Sequence, residues 1–463
     1  MSNPTQGLSR APIQRPPGIG QTAGGATEAG GANPQPEQVQ GVIGCALAFA
    51  AVFVRFGYLH ETLVVLARTK LYLLYVFAAP ALLAALLGGG LGRTLRGRPG
   101  LYWLGFAAWI GACIPFSVWR SGSFHLWLDY MKVGPVVLLT VAGLTVTWRQ
   151  CRAMMWAFAL ACGMSIANGL LFGKQLQGGE RTALTFGSIG NSNDFAAHLL
   201  MLAPFLLWIA LSRRLFLVRL AALAGIAIAL GLIVKTASRG AMVALAIDLL
   251  VFFWRGTARQ RIALCLLAPV ALSALLVIVP RDTWQRLSSL STREAGVGDA
   301  IAAEAVASAS LRQHLWLKGL QYAVEHPIFG VGPGLFADYE GSSEKTVGTH
   351  GYYMAPHNSY TQVASECGFP GLLLFVAGIV SSWRLLNRTY RTARGRPECE
   401  DIRTVAFCVM LSTIGFSIAA IFLSLAYTFY LPALVGLSIA IERAARQEFD
   451  RRSSNFGRDT RVL

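Results

Sequence analysis

The chain has 463 residues, of which 54% are hydrophobic and only 14% charged, with a formal net charge of +17. Soluble domains carry about 25% charged residues, so the deficit excludes an ordinary soluble enzyme and points to a polytopic membrane protein. The basic excess needs no nucleic-acid partner, because cytoplasmic loops of membrane proteins collect Lys and Arg. Residues 1–40 are rich in Gly, Pro, Gln and Ala. Such a segment buries too little apolar surface to order itself, which predicts a disordered tail. Val42-Ile43-Gly44-Cys45 has the look of a lipoprotein cleavage box, but polar residues precede it and no export signal accompanies it.

Apolar segments long enough to cross the bilayer follow at about 41–57, 71–88, 101–119, 126–147, 153–172, 193–211, 215–234, 239–254 and 262–280, then at 367–383, 404–422 and 424–441. The expected fold is therefore an all-α integral membrane protein with about 12 transmembrane helices. Nine lie in 41–280 and three in 367–441. With the N-terminus inside, the inner segments hold most of the arginines, including a basic tail over 442–463. The positive-inside rule then places both termini in the cytoplasm and the long 281–366 loop outside.

That loop is expected to be partly helical. SLRQHLWLKGLQYAVEH, about 310–326, has apolar residues near helical spacing, and Pro327 should end it. GVGPG, Gly330 to Gly334, reads as a turn. The eight cysteines include no CxxC pair, which argues against a disulfide scaffold or a cysteine metal site.

The polar residues that look out of place fall on the outer side. Arg239 opens a span in TASRG, Arg181 and GNSND precede another, Arg312 sits on the loop helix, and His357 ends the loop. Charge beside a span is costly unless it faces protein, water or ligand. Each arginine has a plainer reading as a snorkelling or solvated side chain, and His357 one as part of a helix cap. His350 and His357 could share a metal, but no further ligand stands at standard spacing, so no metal site is expected. Asp129 and Lys132, one helical turn apart, are expected to pair, and Asp248 is a lone inner carboxyl. Arginine forks match phosphate oxygens, and a neutral imidazole can take a proton from a hydroxyl. Together they suit displacement of a lipid diphosphate by a sugar hydroxyl. Glu366, deeper along the following helix, reads as structural.

These residues carry a resemblance. PHNSYTQVASECGFPGLLLF resembles the HN-x-x-L…E-x-G-x-x-G-L segment of the O-antigen ligase and Wzy-type polymerase superfamily. SLRQHLWLKGLQYAVEHPIFGVGPGLF is similar to that family's loop, TASRGAMVAL to its S-R-G span, and GNSNDFAAHLL to its N-x-N start. Thr361 stands where the family often has an aliphatic residue, while His357 and Asn358 are kept. The resemblance implies a metal-independent, GT-C-type glycosyltransferase of the bacterial inner membrane, without cofactor. It would use an undecaprenyl-diphosphate-linked glycan donor on the periplasmic side. The acceptor would be lipid A–core in a ligase or another lipid-linked repeat in a polymerase. By the same resemblance Arg239 and Arg312, with Arg181, would hold the donor diphosphate and His357 would activate the acceptor hydroxyl. Asn358, Tyr360, His350 and Asn193 would support them. The rival class is a secondary transporter or flippase, with Asp129, Lys132 and Asp248 along its path. Few intramembrane charges and no inverted halves disfavour it.

Overall fold

The computed structural model describes residues 36–69, 72–175, 182–184, 186–189, 191–278, 300–346 and 353–459. The stretch 1–35, Arg181 and His350 lie outside them. Seven helices among the described residues are long and apolar enough to cross a membrane, or eight if one bent pair counts as a span. The protein is thus an all-α multi-pass membrane protein.

The bundle starts with α1 (Pro36–Phe56), which breaks at Gly57–Tyr58 into α2 (Leu59–Ala67) with a 63° bend. Helix α2 falls where the sequence reading has only a loop. Helices α3 (Leu73–Leu87), α4 (Gly90–Leu95), α5 (Arg98–Cys113), α6 (Arg120–Leu144) and α7 (Trp148–Phe172) follow. A two-stranded hairpin, β1 (Gly173–Gln175) with β2 (Thr182–Leu184), leads to α8 (Ser192–Leu211), α9 (Phe216–Lys235), α10 (Arg239–Arg255) and α11 (Ala258–Ile278). Helix α9 is the most apolar of the candidate spans yet only 28% buried, whereas α8 is 83% buried. An apolar surface left outside the core is what a lipid solvent permits, so α9 lies at the rim and α8 at the centre.

After α11 come α12 (Ala300–Glu325), α13 (Phe336–Thr346), α14 (Ser359–Ala393), α15 (Glu400–Ala419) and α16 (Tyr430–Asp459). Each of the twelve apolar segments falls on a helix, but several fail as unaided spans. Helix α3 has only 15 residues and α10 only 17. Helix α16 brings Glu442, Arg443 and Arg446 into its first five turns. Two boundaries differ from the sequence reading. Helix α14 begins at Ser359, so the loop ends earlier than 366. Helix α16 begins at Tyr430, and Leu423 to Phe429 is not a regular span. The cause is local. Ser359 Oγ donates to the Leu423 carbonyl at 2.6 Å and accepts from the Leu425 amide at 2.9 Å, giving those backbone groups an alternative to helix.

Arginines hold the helix ends together at one end of the bundle. Arg443 donates to the Ala142 and Thr145 carbonyls, Arg255 to Asn387 at 2.7 Å, and Arg452 pairs with Asp401. The opposite end carries α12 and α13 and is called the loop face below. Those two helices and the turn between them have a small core of their own, made by Leu315, Tyr322, Val331 and Phe336. Buried Glu340 joins them by accepting from Tyr322 OH and meeting His314 Nε2 at 3.3 Å.

The glycine-rich turn after α12 docks on a break in α14. At Gly368 the backbone leaves helical geometry, with φ 67° and ψ −178°. The Val331 amide donates to the Ser365 carbonyl at 2.8 Å, and the Phe369 amide to the Pro327 carbonyl at 2.8 Å. Glu366 accepts from the amides of Gly334 at 2.9 Å and Phe336 at 3.3 Å, tying the start of α13 to α14. A Cβ at Gly330 would collide with the Glu366 backbone, and one at Gly368 with the Pro327–Ile328 backbone. The spacing of glycines thus reflects two backbones in direct contact.

Candidate functional site

Three helix starts meet on the loop face: Ser192 of α8, Arg239 of α10 and Ser359 of α14. Each is shaped by its own sequence. The Asn191 side chain accepts from the Asn193 amide at 2.9 Å and starts α8. Thr236 folds its hydroxyl onto the Ile233 carbonyl at 2.6 Å, and Ala237 takes φ 50°, so α9 reverses into α10 within a few residues. The Asn358 side chain accepts from the amides of Tyr360 at 2.9 Å and Thr361 at 3.1 Å. The two Asn side chains satisfy amides that a helix leaves open at its start, and Thr236 satisfies a carbonyl at the end of α9.

Between them lies a narrow pocket. Asn193, Ser238 and Arg312 supply its polar atoms, and Gly240, Phe422 and Leu423 close it. A Cβ at Gly240 would stand 2.6 Å from the Phe422 side chain, so glycine after Arg239 lets α10 and the end of α15 touch. Arg312 is brought in by α12, which crosses α14 where Gly319 meets Thr361. Two amino-terminal helix ends and a guanidinium facing one space make a field that favours an anion.

His357 stands two residues before α14, half-buried and with φ 51°. Histidine enters this left-handed region more readily than most side chains, at a cost of order 1–3 kcal/mol. Burial and, second, the nearby Arg312 guanidinium hold its imidazole below the usual value. It is therefore neutral near pH 7 and able to accept a proton.

Of the residues singled out in the sequence, Asn193 and Arg312 line the pocket, and His357 lies near the Arg312 guanidinium without lining it. Arg239 begins α10 and is half-buried; the pocket is lined by its neighbours Ser238 and Gly240. Asn358 is spent on its helix cap. Tyr360 OH donates to the Ser417 carbonyl at 2.8 Å, which ties α14 to α15. Ser238, Phe422 and Leu423 were not legible as site residues, since small or apolar side chains in apolar runs give no signal. Asp129 and Lys132 pair at 2.9 Å and are largely exposed. Asp248 is buried, with no hydrogen-bond partner among the described residues, and faces Gly415 of α15. Among the described residues no group of three or more His, Cys, Asp and Glu is placed to hold a metal ion.

Residues 224–376 match the family model described as O-antigen ligase. That stretch contains Arg239, Arg312, His357 and the glycine-rich clasp. No curated protein matches the chain.

Proposed function

We propose that this chain, a member of the O-antigen ligase superfamily through residues 224–376, transfers a glycan from undecaprenyl diphosphate to an acceptor hydroxyl. The observation that carries the reading is the pocket in which Arg312 meets the starts of α8 and α10, with His357 close enough to feel the Arg312 charge. In this reading Arg312 and Arg239, with Arg181, bind the diphosphate at headgroup level. His357 takes the proton of the acceptor hydroxyl as its oxygen attacks the anomeric carbon. The bond from that carbon to the diphosphate oxygen breaks, and the diphosphate leaves with the electron pair. Its departure needs charge stabilisation more than protonation, which suits arginines and helix ends. The assignment is a metal-independent GT-C-type enzyme with about 12 spans in the bacterial inner membrane. The termini are cytoplasmic and the loop face periplasmic. The acceptor is lipid A–core in a ligase or a second lipid-linked repeat in a polymerase.

The test is transfer by the purified full-length protein in nanodiscs, with lipid-linked donor offered each acceptor in turn. Absence of product with both sinks the proposal. In the same assay Arg312→Ala and Arg239→Ala are each expected to raise donor KM by about 10- to 100-fold, the worth of a lost charge-assisted hydrogen bond. Arg→Lys should recover only part of that, because an ammonium cannot reproduce the fork. Unchanged donor KM in both alanine variants would count against diphosphate binding.

The transporter reading has one observation behind it, the unpartnered carboxyl of Asp248. Proton-coupled uptake in liposomes that Asp248→Asn abolishes would support it.

A further inference from the structure

A second opening lies on the loop face, and its chemistry differs from that of the Arg312 pocket. It is a cleft of about 200 Å³ whose lining includes Arg55, Tyr58, Asp129, Asp194, Tyr427 and Tyr430. The break between α1 and α2 opens it. At the bend Tyr58 takes φ 53° and bonds Tyr430 OH through its own hydroxyl at 2.6 Å, fixing two buried rings. Arg55 stacks over the Phe429 ring at 4.1 Å. Glu61 of α2 holds Ser188 by its amide at 3.0 Å and its hydroxyl at 2.9 Å, and so ties α2 to the segment before α8.

Asp129 on α6, Asp194 on α8 and the Arg55 guanidinium stand in this lining, and Lys132 pairs with Asp129. That near-neutral mix gives a diphosphate no cluster of free cations, so it suits an uncharged polar ligand better. Carboxylates accept paired hydroxyl protons, and aromatic rings cover apolar C–H faces. A concave, ring-lined site with a few convergent polar groups suits a hydroxyl-rich ring without strong negative charge. That ligand class is a carbohydrate.

The position of the cleft gives the sugar a role. Asn193 lines the Arg312 pocket, and the next residue, Asp194, lines the cleft. Leu423 lines the first and Leu425 the second, and the one hydroxyl of Ser359 bonds both backbones. A thin partition thus separates the two openings, and the helix that follows His357 is pinned to it. We infer that the cleft binds the acceptor sugar and presents its hydroxyl towards His357. The inference rests on the transferase reading above.

Two variants probe it: Asp129→Ala removes an exposed carboxyl, and Val133→Trp fills the cleft from the α6 side. With donor saturating and the productive acceptor varied, acceptor KM should rise on the order of tenfold in each, with donor KM unchanged. Unchanged acceptor KM in both, or an equal rise in donor KM, overturns the inference while leaving transfer itself intact. Failure of the unmodified protein to transfer at all counts instead against the transferase reading. The cleft is then read directly, by saturation-transfer NMR with deacylated core oligosaccharide and with the free repeat oligosaccharide. A signal from either that Val133→Trp removes supports the site. No signal from both, or one that survives in Val133→Trp, overturns it.

Discussion

Replacing His357 by alanine or asparagine is expected to lower kcat by about 10²–10⁴-fold, the usual worth of a positioned general base. Asparagine matters as a control, because it tolerates φ 51° as histidine does. A shared loss in both variants would therefore report lost chemistry and not a collapsed turn. Both proteins should insert, and the asparagine variant should melt like the unmodified chain. The pH profile gives a second reading. Burial and Arg312 depress the imidazole, so the free enzyme keeps a neutral base to a pH below the ordinary histidine value of about 6.5. Then kcat/KM should stay flat through neutral pH and fall only on further acidification, as the ring takes up a proton. A bound diphosphate would offset the Arg312 charge and make the imidazole more basic. The acid limb of kcat should accordingly lie at higher pH than that of kcat/KM. Arg312→Ala should raise the kcat/KM limb as well. Normal product from His357→Ala would remove the residue from the mechanism.

How much of this was readable beforehand depends on the kind of signal each residue carries. Arg312 and His357 stand out because charge and imidazole are rare beside apolar runs; Arg312 lines the pocket, and His357 lies near its guanidinium. The glycines at 330, 332 and 334 announce a turn, whereas the break at Gly368 inside an apolar run shows only in the fold. That they meet each other, with Glu366 accepting from two amides across the contact, needs the fold. The segment from Leu423 to Tyr430 departs from what its composition predicts. LSLAYTFY is apolar enough for a span, yet Ser359 takes its backbone groups and frees Tyr427 to face the cleft. Arg55 and Tyr58 escaped notice for a related reason. Nothing in VFVRFGYLH separates a snorkelling arginine at a span end from a helix broken to open a cavity. Asn358 and Tyr360 carry structural bonds that their motif does not announce: the side chains serve the cap and the contact with α15.

The last expected result concerns the clasp that sets Arg312 against His357. Gly368→Ala should destabilise the protein by on the order of 2–6 kcal/mol, combining strain at φ 67° with a side chain driven into the Pro327–Ile328 backbone. The expected readout is a lower melting temperature in detergent and earlier proteolysis between α12 and α14. Glu366→Gln is the milder probe. It keeps the size of the side chain but turns an amide NH2 towards the Gly334 or Phe336 N–H, a loss of about 1–3 kcal/mol. The pair distinguishes positioning from chemistry. If Glu366 acted as a catalytic acid, Glu366→Gln would lose activity at an unchanged melting temperature. If it holds the loop, stability and turnover fall together, and part of the activity returns on cooling, where the clasp remains closed. The second outcome is expected, because the carboxyl is buried with both oxygens committed to backbone amides of the docked turn. A group so occupied can place Arg312 and His357, but it has no free oxygen to offer a substrate.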